Sequence, residues 1–221
     1  MNSLFKFDKS FSSGCTLIGT DEAGRGPGAG GVFAAAVCFK PCAYKCEELL
    51  GLNDSKKLTV KKREELYEII KEHSFCSVKM SDIEKIEELD ILGASLYTMR
   101  LAVHELLKEL KGTEEAAAEA LVLVDGNRKI FKLKHEQKTI VRGDSSSAVI
   151  AAASILAKVE RDKYMSELHE EFPMYNWAQN KGYLTKEHVG AIKKYGPCKM
   201  HRPSFLKKIL KDAETVQLSL I

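Results

Sequence analysis

Two adjacent acids, Asp21 and Glu22, close the apolar start of "IGTDEAGRGPGAGG", residues 18–31, and five glycines and a proline follow them. Further on, Asp125 ends the apolar run of "EALVLVDG" and Asp144 ends "KTIVRGD". Functional groups of α/β sheets gather at strand ends. Any one of these acids alone reads as a cap or turn residue: Asp125-Gly126 is a common turn pair, and Asp144-Ser145 suits a helix start. Four at the ends of buried strands read as a site. Carboxylates brought together raise one another's pKa unless cations neutralise them. Oxygen donors without nearby histidine or cysteine suit Mg²⁺ or Mn²⁺. The glycines permit close backbone approach and unusual dihedrals, which serves a bound anion or a tight turn.

The elements that must hold these acids follow from pattern. "CTLIGTD" predicts a buried strand and "GGVFAAAVCF" its hairpin partner. "VKKREELYEIIKEH" has helical spacing at Leu66, Ile69 and Ile70, "FCSVKMS" alternates as a strand, and "ILGASLYTMRLAVHELLKEL" predicts a long amphipathic helix. "EALVLVDG" predicts a central strand and "KTIVRGD" another. "SSSAVIAAASILAKVERDKYMSELHEEF" predicts the longest helix, with serines crowding its start as N-caps do. After Pro173 come a loop with the only tryptophan, Trp177, and helices near "KEHVGAIKKYG" and "SFLKKILKDAE". The organisation is one domain over 1–221, with a core of about 15–172, a helical substrate-binding part of about 173–212 and a flexible tail of about 213–221.

At 221 residues the chain can bury a full core. Hydrophobic residues make up 44% and charged ones 29%, ordinary values for a soluble protein. No apolar run approaches a membrane span of roughly 18 residues, and the N-terminus is too polar for a signal peptide. A cytoplasmic monomer is expected. The net charge of +3 does not mark a nucleic-acid binder, but its distribution is uneven. Lys56, Lys57, Lys61, Lys62 and Arg63 form a basic run, the C-terminal part is basic, and acids collect in "DIEKIEELD" and "GTEEAAAEA". Such a split can follow a phosphate backbone, or can be no more than solvated helix faces. Cys38, Cys42 and Cys46 lack the paired spacing and histidine partner of a zinc site, so free thiols are expected.

In order along the chain, "TDEAGRGPGAG", "GLNDSKKLTVKKREEL", "VDGN", "RGDSSSAVIAAASILAKVERD", "KGYLTKEH" and "HRPSF" resemble the motifs of the bacterial ribonuclease HII family, from about Gly19 to Phe205. The resemblance implies a ribonuclease H-like α/β fold: a mixed five-stranded sheet flanked by helices, with a helical C-terminal part. It implies an endonuclease that cuts the RNA strand of RNA–DNA hybrids and incises 5′ to ribonucleotides embedded in duplex DNA. Two-metal-ion hydrolysis with Mn²⁺ or Mg²⁺, leaving a 3′-hydroxyl and a 5′-phosphate, goes with it, as does a role in repair and replication. By motif, the catalytic and metal-holding acids are Asp21, Glu22, Asp125 and Asp144. Gly24, Arg25 and Gly26 are implied to meet the ribose 2′-hydroxyl and adjacent phosphate, and Tyr183 the neighbouring sugar. Asn53, Ser55, Lys56 and Lys57 are implied to contact phosphates. His188, Arg202 and Ser204 lie in matching motifs without a catalytic role, and His188 reads equally as structural.

The chain departs from the family pattern at Gly28, Gly31, Asp90 and Ser146, where Leu, Pro, Asn and Lys are commoner. The sister family, ribonuclease HIII, resembles it less: a first motif by residue 19 and an aspartate at 144 favour HII. A non-catalytic nucleic-acid or clamp-binding module is the reading from another class, and the four acids speak against it. The last residues, Gln217, Leu218, Ser219, Leu220 and Ile221, resemble the peptide Q-L-(S/D)-L-F by which bacterial proteins bind the DNA sliding clamp, with Ile221 in place of Phe. A flexible peptide with spaced apolar anchors can dock in a preformed groove.

Overall fold

The computed structural model describes residues 3–11, 15–111, 113 and 119–218, with side chains as far as Lys211. Strand β1 (Thr16–Ala23) pairs antiparallel with β2 (Val32–Phe39), and β2 with β3 (Ser74–Ser81). On its other side β1 runs parallel to β4 (Ala120–Asp125), and β4 parallel to β5 (Glu136–Ile140). The order β3-β2-β1-β4-β5 is the mixed five-stranded sheet that the motifs implied. β2 is buried along its whole length and β1 along all but its last two residues, so both read as continuous apolar runs rather than alternating ones.

Helices α1 (Ser3–Lys9), α2 (Val60–His73) and α4 (Ala148–Glu171) cover one face, packing on Leu17, Leu121 and Leu123. Helix α3 (Ile83–Leu110) covers the other, setting Met99, Val103 and Leu106 against Ile18, Val122 and Val124. Residues Ala148 to Ala157 of α4 are buried on every side, which its alanines make possible. Gly19 brings the helix closer still, because a Cβ there would run into the backbone of Val149. The start of α4 is thereby fixed against the strand that carries Asp21. Asp8 of α1 reaches the same point, its Oδ2 accepting from Val149 N at 2.9 Å.

The C-terminal part contains α5 (Trp177–Asn180), α6 (Lys186–Tyr195) and α7 (Pro203–Leu218). Its own core of Tyr175, Trp177, Ile192 and Leu206 continues into Met165 and Leu168 of α4. It grips the glycine loop through Gly28 N to Gly182 O (2.9 Å), Gly30 N to Met200 O (2.8 Å) and Arg202 N to Gly28 O (2.9 Å).

Several expectations need correction. The core reaches back before residue 15, since Leu4 and Phe5 of α1 are buried in it. α3 starts at Ile83 rather than residue 91: the acidic "DIEKIEELD" is a helical half capped by Asp82, which accepts from Lys85 N. Its break is Asp90 (φ 59°), whose Oδ1 accepts from Leu92 N and Gly93 N and recaps the second half. Asp21 and Glu22 lie within β1, not at its very end. β5 stops at Ile140, and left-handed Arg142 (φ 56°) turns the chain, so Asp144 sits in a 3-10 turn (Gly143–Ser145). The backbone at 213–218 continues α7, which ends at Leu218. All six cysteines are free, and no described helix is long and apolar enough to cross a membrane.

Candidate active site

The parallel register sets Thr20 beside Val124, so Asp21 and Asp125 follow as neighbours on strands about 4.8 Å apart. Asp21 is only 5% exposed. Burial first, then the charges of Glu22 and Asp125, raise its carboxyl well above the usual range, against hydrogen bonds from Ser154 and from Glu22 N. Glu22 is raised by burial; Arg25, 3.2 Å away, pulls it back, while Asp125 adds to the rise. Asp144 is raised by burial, then by Asp54 and Asp125, with Lys56 opposing. Asp125 Oδ1 accepts from Gly143 N at 2.7 Å, which ties the end of β4 to the turn that holds Asp144. The fold therefore places Asp125 within electrostatic reach of the other three acids. Among the described residues, no three His, Cys, Asp or Glu side chains are drawn together as a ready metal site.

A fifth acid, Asp54, belongs to this field and was not singled out from the motif "NDSKKL". Its Oδ1 accepts from Lys56 N at 2.9 Å, an Asx turn that sets Lys56 beside the acids. Arg63, expected on the surface within a basic run, is buried and donates to Ser55 O (2.8 Å) and Leu58 O (2.7 Å), holding the same loop.

A cleft of about 540 Å³ opens beside Glu22, lined by Gly24, Arg25, Gly26, Lys56 and Tyr183 among others. Gly24 has φ +102°, and a Cβ there would overlap Arg161, so only glycine fits. Two buried guanidiniums shape this loop, and no carboxylate salt-bridges either among the described residues. Arg202 donates to the carbonyls of Gly24 (2.7 Å), Arg25 (3.3 Å), Gly30 (2.7 Å) and Gly31 (3.2 Å). Arg161 donates to Ala29 (3.1 Å), Gly31 (3.3 Å) and Lys181 (3.0 Å). Burial lowers both, Arg202 to about 9. A trans peptide points its N–H away from its C=O. With the Gly24 and Arg25 carbonyls turned in on Arg202, the N–H groups of Arg25 and Gly26 turn outward.

Tyr183 is 49% exposed, with its ring lying over Gly26. Behind it, His188 Nδ1 donates to the Tyr183 carbonyl (2.9 Å), and His188 Nε2 accepts from Trp177 Nε1 (3.0 Å). His201 lies 3.1 Å from His188 Nε2, and its own Nδ1 accepts from Cys198 N (3.0 Å). This set of bonds requires both rings to be neutral. Burial, with the two rings disfavouring each other's charge, holds His201 down to about 4, and burial also lowers His188. His188 is thus a brace for Tyr183.

The expected phosphate contacts divide. Lys56 is on the cleft wall. Ser55 is there too, but its hydroxyl pairs with Ser154 (2.9 Å). Asn53 bonds the backbone of Asp54, and neither it nor Lys57 lines the cleft. Of the clamp peptide, Gln217 and Leu218 end the α7 backbone, while Leu220 and Ile221 lie outside the described residues.

The family profile described as "Ribonuclease HII" matches residues 18–208. A Ribonuclease HII of Fusobacterium nucleatum is 47% identical over 214 residues, covering 96% of this chain and 94% of that one. Among solved structures, the ribonuclease HII in a PCNA complex from Archaeoglobus fulgidus matches with a TM-score of 0.67 at 24% identity, over 85% of this chain and 94% of that one. Bst-RNase HIII, solved in complex with Mn²⁺, matches with a TM-score of 0.69 at 18% identity, over 91% and 71%. At these identities the solved structures speak to the fold, and the fold agrees. The chain belongs to the ribonuclease HII family, ribonuclease H endonucleases that cut the RNA strand of RNA–DNA hybrids.

Proposed function

We propose that the enzyme also incises duplex DNA 5′ to a single embedded ribonucleotide, leaving a 3′-hydroxyl and a 5′-phosphate, with Asp21, Glu22, Asp125 and Asp144 as its catalytic acids. The observation that carries this reading is the raised carboxyls of Asp21 and Asp144, lifted first by burial and then by neighbouring acids, beside a cleft walled by an outward-facing peptide loop. Hard oxygen donors that repel one another fit Mg²⁺ or Mn²⁺, and the four acids would hold two such ions. Bound there, the ions supply an activated water and charge stabilisation for in-line displacement at phosphorus.

The chain's own residues do the reading. The outward N–H groups of Arg25 and Gly26 suit a 2′-hydroxyl oxygen and a phosphate, the features that mark a ribonucleotide in DNA. Tyr183, braced by His188, offers a ring face to the adjoining sugar and a hydroxyl to its edge. Lys56 supplies a point charge to the backbone. Arg202 and Arg161 keep the loop in shape and do not need to touch the substrate.

We further infer that the C-terminal segment from Gln217 to Ile221 docks on a sliding clamp, keeping the enzyme on duplex by effective concentration. The archaeal relative solved with PCNA and the residue types of the peptide support this.

The test of the main reading is a labelled duplex with one ribonucleotide, incubated with Mg²⁺, Mn²⁺ or a chelator. One nick on the 5′ side, abolished by chelator, is expected. No nick on this duplex alongside good cutting of an RNA–DNA hybrid would overturn the single-ribonucleotide reading.

A further inference from the structure

The crossover from β4 to β5 carries Arg128, Lys129, Lys132 and Lys134, with no acid between Asp125 and Glu136. All four are exposed, and no carboxylate salt-bridges any of them among the described residues. The crossover is not a loose loop. Ile130 and Leu133 are buried in the core cluster of the α3 face. The Gln137 side chain accepts from Ile130 N (2.7 Å) and donates to Ile130 O (3.2 Å) and Leu133 O (3.3 Å). Arg100 of α3 donates to Phe131 O (3.1 Å).

This bracing pushes Phe131 outward, where it is 67% exposed in the midst of the cations. After β5, Val141 is 69% exposed, and exposed Arg142 follows. Lys132 (φ 57°) and Arg142 (φ 56°) both hold left-handed backbone, which side-chain-bearing residues rarely adopt. Such strain persists where surrounding structure enforces it and gathers at binding sites.

The position is informative. Arg128 and Lys129 follow Asp125 by three and four residues, and Arg142 precedes Asp144 by two. Gly126 N donates to Ile140 O at 3.0 Å, so the two stretches leave the sheet side by side at the end that holds the acids. The cleft with Tyr183 and Lys56 lies at the β1–β2 side of those acids, and this patch at the β4–β5 side. A duplex laid across the acids extends over both.

We propose that the β4–β5 crossover and the turn before Asp144 form a second contact surface for the substrate duplex, holding its backbone on the far side of the acids from Tyr183. This rests on the duplex reading given above. Exposed cations without acid partners match phosphates, whose counterions they would release. Phe131 and Val141 offer apolar surface to the sugars between them.

The experiment measures binding by fluorescence anisotropy in chelator, so that nothing is cut. Three duplexes carry one ribonucleotide each: one extended on both sides, one truncated on the 5′ side and one on the 3′ side. The triple variant Arg128→Ala, Lys129→Ala, Arg142→Ala is expected to bind the fully extended duplex about tenfold more weakly at low salt. The slope of log affinity against log salt should fall by roughly 2–3, since each phosphate contact contributes about 0.9. On one truncated duplex the variant and the wild type should bind alike. The charge-keeping variant Arg128→Lys, Arg142→Lys should keep the wild-type slope, and the melting temperature of neither variant should move. Unchanged affinity and slope on the extended duplex, or equal weakening on all three, would reject the surface and leave the patch to some other anionic partner. Cutting of the extended duplex by wild type in Mg²⁺ is scored separately: its failure would sink the single-ribonucleotide reading and say nothing against the patch.

Discussion

Asp125 serves two ends at once. Its Oδ1 accepts the Gly143 amide, and its charge reaches Asp21, Glu22 and Asp144. Asp125→Asn keeps the acceptor and removes the charge. Cleavage is expected to fall at least ~100-fold, while the melting temperature in chelator holds or rises, because the neighbouring acids lose a repulsive partner. A melting temperature lower by several degrees would mean that the residue is structural. The four acids stood out in the sequence because, although each alone passes for a cap or turn residue, four closing apolar runs are harder to explain that way. Asp54 was not, since an Asx turn is a sufficient reason for an aspartate in that loop. Arg63 was named only in a basic run and Arg202 only in a motif, and their burial, with that of Arg161, did not show for a different reason: a guanidinium can be buried when carbonyls surround it, and around Arg161 and Arg202 those carbonyls come from far along the chain. Only Arg161 left a signal, four residues after Ala157 and four before Met165 on the buried stripe of α4.

Elements with a strong period were readable, and those decided by a few tertiary contacts were not. The helix α1 is seven residues long and stands because Leu4 and Phe5 find the core and Asp8 caps α4. β5 stops at Ile140 and the chain then turns on left-handed Arg142, for which no local rule prepares. These contacts leave opposed marks on the pH dependence of stability. His201 is lowered to about 4 from 6.5, so the unfolded chain binds its proton first. Its contribution is whole above pH 6.5 and is lost as pH falls toward 4. Asp8 is raised to about 6 from 3.8, chiefly by burial, so the fold keeps a proton that the unfolded chain releases. Its contribution is whole at low pH and is lost as pH rises through about 6. Between these limits the slopes oppose. Asp8→Asn, which keeps the acceptor for Val149 N, should make stability rise more steeply from pH 4.5 to 6.5. His201→Asn, which keeps the acceptor for Cys198 N, should make it rise less or fall. Urea midpoints at the two pH values measure both, and parallel profiles for all three proteins would refute the buried titrations.

At the scale of the whole molecule, a net charge of +3 conceals an acid centre flanked by cations on both sides. A divalent ion that relieves this centre must stabilise the fold. At tenfold excess over its dissociation constant the gain is about 1.4 kcal/mol, or roughly 3–6 °C in melting temperature for a chain of this size. The shift should shrink on acidification, as Asp21, Glu22 and Asp144 take up protons at higher pH than ordinary carboxyls and so compete with the ion. Thermal melts in Mg²⁺, Mn²⁺ and chelator at two pH values check this, and a shift that is equal at both pH values would place the ion elsewhere. The glycine loop has a consequence of another kind. Arg161 and Arg202 reach back over 130 to 178 residues to give it shape. During synthesis on the ribosome all four acids emerge before Arg202, so a nascent or prematurely terminated chain carries these acids without the shaped loop beside them. The contacts from Arg202 can form only once the last helices have docked, so the wall of the cleft is among the last features the chain completes.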